Sequence, residues 1–150
     1  MEPDPVLVSN TREWLLRAKE DLDNARHDLM ATPPFVRDAL FHCQQAVEKA
    51  MKAFLTWHDS AFRKTRNLEE LGESCIRMDG TLAPAIEDVT PLTEYAARFR
   101  YPGAPWEPTL QEARESIELV RKFVHTILKR LPPRIASFDD HPKDSMESGA

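Results

Sequence analysis

Three side chains able to meet a polar ligand recur along one stretch of the chain. His42, Gln45 and Lys49 sit three and four residues apart within PPFVRDALFHCQQAVEKAMKAFLTW, Pro33 to Trp57. At about 100° per residue they share a helical stripe about 60° wide. An imidazole donates or accepts near neutral pH, a carboxamide does both, and an ammonium meets a phosphate as a point charge. The neighbouring Ala46, Ala50 and Ala53 let another surface come close. The same stripe would equally serve as a solvated or inter-subunit polar face. A second constellation is Arg98, Arg100 and Tyr101, directly before Pro102. A guanidinium grips a phosphate bidentately while a ring stacks on a base; the plainer reading is a helix end whose arginines complement the dipole. Arg63, Lys64 and Arg66, with Lys49 and Lys52 nearby, form the most basic region, which a solvated loop also explains.

The elements that must position these groups are helical throughout. Leu15, Ala18, Leu22, Ala25 and Leu29 repeat in steps of three and four, leaving Arg17, Lys19, Glu20, Asp21, Asp23, Asn24 and Arg26 mostly outward. Asn10 and Glu13 have capping-box spacing, so a first helix is expected from Asn10 to about Met30 after a short arm, residues 1–9. The link at Ala31 to Pro34 is short, which turns the second helix back along the first. On that helix Val36, Leu40, Cys43, Val47, Ala50, Met51 and Phe54 form the core face, with Ala39, Ala46 and Trp57 at its margin.

Asn67 and Glu70 are a second capping-box pair, opening a short helix that ends at Asp79-Gly80. From Leu82 to Arg98 another helical pattern is interrupted by Pro91, where a kink or break is expected because proline lacks the amide donor. Thr109 and Glu112 open the last helix, along which Leu110, Ala113, Ile117, Val120, Val124, Ile127 and Leu131 keep a three-four rhythm. Pro132-Pro133 stop it, and residues 132–150 carry too few apolar side chains to fold alone. No segment has the two-residue period of a strand and no repeat is present, so the fold class is all-α.

Composition narrows the function. The 150 residues suit one domain. Lys and Arg number 20 against 25 Asp and Glu, a net charge of -5, which excludes the global basic field that holds proteins on nucleic acid. Cys43 and Cys75 stand at apolar helical positions in no paired spacing and read as buried free thiols. His27, His42, His58, His125 and His141 include no pair at i and i+4, so neither a metal site nor a cofactor is expected. The start, MEPDPVLVSN, has neither the positive nor the apolar region of a signal peptide, and no run approaches about 18 apolar residues. A soluble, cytoplasmic protein without membrane partners is expected.

FHCQQAVEKAMKAFL (Phe41 to Leu55), KTRNLEEL (Lys64 to Leu71) and LTEYAARFRYPG (Leu92 to Gly103), followed by a long amphipathic helix, resemble a HEPN domain over residues 10–131. The resemblance implies an up-and-down antiparallel bundle of four long helices plus one short helix, a homodimer, and a minimal nucleotidyltransferase partner in a toxin-antitoxin or defence system. His42, Gln45 and Lys49 match the family's polar positions, and Arg98, Arg100 and Tyr101 its recurrent Arg-Tyr-Pro corner. Many members are metal-independent RNases carrying Arg, four to six residues, then His near the last long helix. Here Arg121 and His125 have three residues between them, Arg37 and His42 lie on the second helix, and Arg134 and His141 fall in the tail. Arg66 stands where the family often has His. The expected role is therefore a non-catalytic interaction and nucleotide- or RNA-binding module with His42, Gln45, Lys49, Arg98, Arg100 and Tyr101 as its binding residues. The alternatives are an RNase with an atypical site and a purely structural helical-bundle dimer.

Overall fold

The first helix begins at a proline. Asp4 accepts a hydrogen bond from the Val6 amide at 2.9 Å, and Pro5, whose ring needs no amide donor, takes the first helical position. In the computed structural model, which describes residues 3–65, 67–92 and 107–136, α1 spans Pro5–Met30. The helix thus starts earlier than the Asn10 expected. Asn10 lies inside it, and Glu13 pairs with Arg17 at 3.2 Å instead of capping. Leu15, Ala18, Leu22 and Ala25 are buried as their spacing predicts.

The chain turns and returns as α2, Val36–Trp57. The Phe35 amide donates to the Asp28 carbonyl at 2.9 Å, Asp21 meets both His42 and Lys49, and Lys52 lies over the Trp14 ring. Late residues of α2 therefore face early residues of α1, which is the antiparallel pair expected. α2 is the central helix, touching α1, α3 (Leu68–Met78) and α5 (Leu110–Lys129). No residue from Ala39 to Trp57 is exposed. Burial thus extends beyond the expected core face to Gln45, Glu48 and Lys52, whose polar groups must find partners inside the fold.

At α3, Asn67 accepts from the Glu69 and Glu70 amides at 3.0 and 3.2 Å. The expected reciprocal cap is only half made. Arg63 holds the Glu70 carboxylate at 2.7 and 2.8 Å, and the Asn67 amide turns to the Thr65 hydroxyl at 3.0 Å. A 3₁₀ turn, Gly80–Leu82, leads into α4, Ala83–Val89. The break expected at Pro91 is present: α4 stops at Val89, Thr90 caps it, and Pro91 and Leu92 are helical again. Thr109 and Glu112 form the full capping box of α5. Phe123 joins the buried face of that helix, while Val124 is only partly covered.

Pro133, fixed at a helical φ, opens α6, Pro133–Ala136, and buries Ile135 to 1% exposure against α1 and α5. The first residues beyond Pro132 are therefore folded. Arg130 closes the far end of the bundle, donating to the Thr81 hydroxyl at 3.1 Å and pairing with Asp79 at 3.2 Å. The architecture is an all-α, up-and-down bundle, with no strand among the described residues. No described helix is long and apolar enough to cross a membrane. Both thiols are buried, and loss of solvent pushes each up to about 12.

Gly72 faces Ile86 of α4 closely: a Cβ there would stand 2.8 Å from Ile86 Cγ2, whereas one at Gly80 would meet nothing within 4 Å. In Gly72→Ala, overpacking of about 1–3 kcal/mol outweighs about 1 kcal/mol gained in helix propensity. The urea midpoint should fall for Gly72→Ala and stay near wild type for Gly80→Ala.

Candidate functional site

Asp21 is the hinge of the polar stripe. It stands three residues after Ala18 and four before Ala25, on the buried side of α1, and its side chain is only 9% exposed. Its Oδ1 meets His42 Nδ1 at 2.9 Å, and its Oδ2 accepts from Lys49 Nζ. Gln45, one turn from each, is buried between them. The stripe thus faces α1 within the same chain. Asp21 was expected to point outward with its charged neighbours; its spacing from Ala18 and Ala25 is the signal that places it inward.

His42 reaches a second carboxylate. Its Nε2 lies 3.4 Å from Asp38 Oδ2, so each ring nitrogen faces an acid. Beside it stands Asp28, whose Oδ2 is cut off from solvent and has no hydrogen-bond partner. Burial, then a hydrogen bond with Asp38 and that group's charge, raises the Asp28 carboxyl from 3.8 to about 6, against the opposing pull of His42 and His27. The two acids crowd each other, and one proton between them relieves the crowding.

Deeper along α2, Lys52 donates to Glu48 Oε1 at 2.7 Å, with side-chain exposures of 9% and 5%. The Lys52 ammonium lies 5.2 Å from the Trp14 ring centroid and 5.9 Å from that of Phe62. The two rings meet edge-on at 6.4 Å. The basic region expected around the α2–α3 connection is therefore largely neutralised. Lys49 is tied to Asp21, Lys52 to Glu48 and Arg63 to Glu70, whose own carboxyl is lowered by that bond. Lys64 is exposed. Arg66, Arg98, Arg100 and Tyr101 lie outside the described residues. Arg37, with four residues between it and His42, pairs with Glu107.

Chemically, the described part of the site is an interhelical strut. One buried carboxylate holds an imidazole and an ammonium, and a second acid takes the other ring nitrogen. Among the described residues each ring nitrogen of His42 faces a carboxylate.

Compared with known proteins, residues 11–131 match the HEPN domain family. A protein of Methanocaldococcus jannaschii named "Putative toxin MJ1304" is 28% identical over 142 residues, covering 86% of this chain and 90% of that one. No solved structure matches the chain.

Two measurements check the site. Asp21→Ala removes the shared partner of two partly buried donors and should lower unfolding free energy by about 2–4 kcal/mol in urea titration. Combined with Lys49→Met, it should cost less than the two single changes added. For Asp28 the folded carboxyl titrates near 6 against 3.8 unfolded. Its contribution to stability is full below about 3.8 and lost as pH rises through about 6. In chelator-treated buffer, Asp28→Asn should therefore flatten the fall in melting temperature across that interval and be the more stable form at pH 7.5.

Proposed function

Because the chain belongs to the HEPN domain family, we propose that it is the HEPN half of a toxin-antitoxin type pair. In this reading it binds a minimal nucleotidyltransferase and a nucleotide without cleaving RNA. The observation that carries the non-catalytic part is the double engagement of His42, 2.9 Å from Asp21 and 3.4 Å from Asp38. A general base must reach the proton it abstracts; an imidazole flanked by two carboxylates serves to join helices. The name of the archaeal relative supports the toxin-antitoxin setting.

In this reading the nucleotide's phosphates are met chiefly by Arg98 and Arg100, with Tyr101 stacking on the base. His42, Gln45 and Lys49 form the polar wall behind them. Asp21 has first claim on His42 and Lys49, so the arginines and the ring carry most of the affinity. The homodimer is the working unit, and the partner transferase docks on it.

The test uses the full chain. Incubated with RNA, with and without EDTA, it should leave the RNA intact. It should co-purify with a nucleotidyltransferase encoded beside it and bind ATP in calorimetry, with affinity reduced at least tenfold in Arg100→Glu. RNA cleavage abolished by His42→Ala or Arg100→Ala would replace this reading with the RNase one. Binding of neither ATP nor the transferase would leave a structural bundle.

A further inference from the structure

One face of the N-terminal half of α1 stays open to solvent. Pro5, Ser9, Arg12 and Leu16 stand three and four residues apart along it and are all exposed, Leu16 to 44%. Together with Val8 of α1 and Arg134 of α6 they border a groove of about 600 Å³. The described residues end at Ala136, beside this groove. We propose that residues 137–140 lie in it as an intrachain strap, with Phe138 on the apolar wall of Pro5, Val8 and Leu16 and with Asp139 and Asp140 against Arg12 and Arg134.

The place where the chain leaves the bundle favours this occupant. Ile135, buried to 1% exposure, pins α6, and Arg134 on the same short helix borders the groove. Phe138 follows Arg134 by four positions, so its Cα cannot lie more than about 14 Å away. Closing so short a span costs little chain entropy. Phe138 is also the one aromatic residue after Ala136, and it stands directly before two acids.

Charge points the same way. Among the described residues Arg12 makes no hydrogen bond or ion pair. Glu13, the acid at the groove, is already held by Arg17 at 3.2 Å. The groove therefore presents a cation in want of an anion, beside apolar surface in want of cover. Residues 137–150 bring Asp139, Asp140, Asp144 and Glu147 against a single Lys143. A guanidinium takes a carboxylate in two parallel hydrogen bonds, and an aromatic ring adds a large apolar area next to them. In this arrangement the end of the chain covers its beginning, and a protein docking on this face of α1 must first displace the strap.

The test is a cross-link in the full chain. Ser9→Cys puts one thiol at the groove and Ser137→Cys puts another beside Phe138, and a short bismaleimide joins them when they are close. Cys43 and Cys75 are buried, their thiols pushed up to about 12, and stay unmodified. The link should form within one chain, as read by intact mass. Its yield should fall at least about fivefold when Phe138→Ala is added, because the apolar anchor is lost. Arg12→Glu with Arg134→Glu should lower it by a similar factor, and Asp139→Lys with Asp140→Lys on that reversed chain should restore most of it. Should the helix substitutions disturb the fold, as seen in circular dichroism, Phe138→Ala and Asp139→Lys with Asp140→Lys alone decide the matter, since both leave the bundle intact. Equal yields with and without Phe138, or with and without the tail acids, would overturn the proposal. So would links formed only between chains, which would assign this face to a second copy.

Discussion

A carboxylate buried between two helices must be given positive partners or be neutralised, and Asp21 sets much of this molecule's geometry for that reason. Its two oxygens reach α2 at points two turns apart, His42 and Lys49. Sliding α1 along α2 by one turn would take Asp21 away from both His42 and Lys49 and leave a buried acid without partners, at a cost of several kcal/mol. Apolar side chains such as Leu22 and Val47 tolerate small shifts of register; this hydrogen-bonded triplet does not. The register of the α1–α2 pair is thus specified by charge and stabilised by apolar burial.

The same necessity runs along α2 beyond its first turn. From Ala39 onward this central helix has no exposed residue, so hydrophilic side chains that a surface helix would give to water are drawn into pairs. Glu48 Oε1 takes the Lys52 ammonium beneath Trp14 and Phe62, while its Oε2 is buried without a hydrogen-bond partner. Lysine suits this place because its apolar stem packs and its ammonium rests against ring faces. Much of the local basicity in the sequence is therefore met by acids in the fold, Lys49 by Asp21, Lys52 by Glu48 and Arg63 by Glu70.

The sequence carried the helical class, the antiparallel return of α2, the break at Pro91 and the Thr109–Glu112 cap, because each depends on neighbours within a turn. Three features escaped it for physical reasons. Asp4-Pro5 outcompeted Asn10 as the start of α1 because an aspartate cap and a proline at the first position act together. Asp21 was assigned outward by its charge although its spacing placed it inward, since a wheel shows position and not the distant lysine that makes burial tolerable. Glu70 left its cap for Arg63, a partner in the preceding loop that no local spacing announces. At the site, the His42, Gln45 and Lys49 stripe was legible as a shared face, but what lay opposite was not. Asp28 and Asp38 could be brought together only by the turn between helices.

The two buried cysteines have a consequence for how this protein meets its chemical surroundings. With each thiol pushed up to about 12, almost no thiolate exists at neutral pH, and it is the thiolate that attacks peroxides and disulfides. Cys75 directs its sulfur toward the Met51 carbonyl at 3.8 Å, inside the same packing that holds α3 on α2. Oxidative chemistry therefore has no purchase on these sulfurs while the helices stay closed.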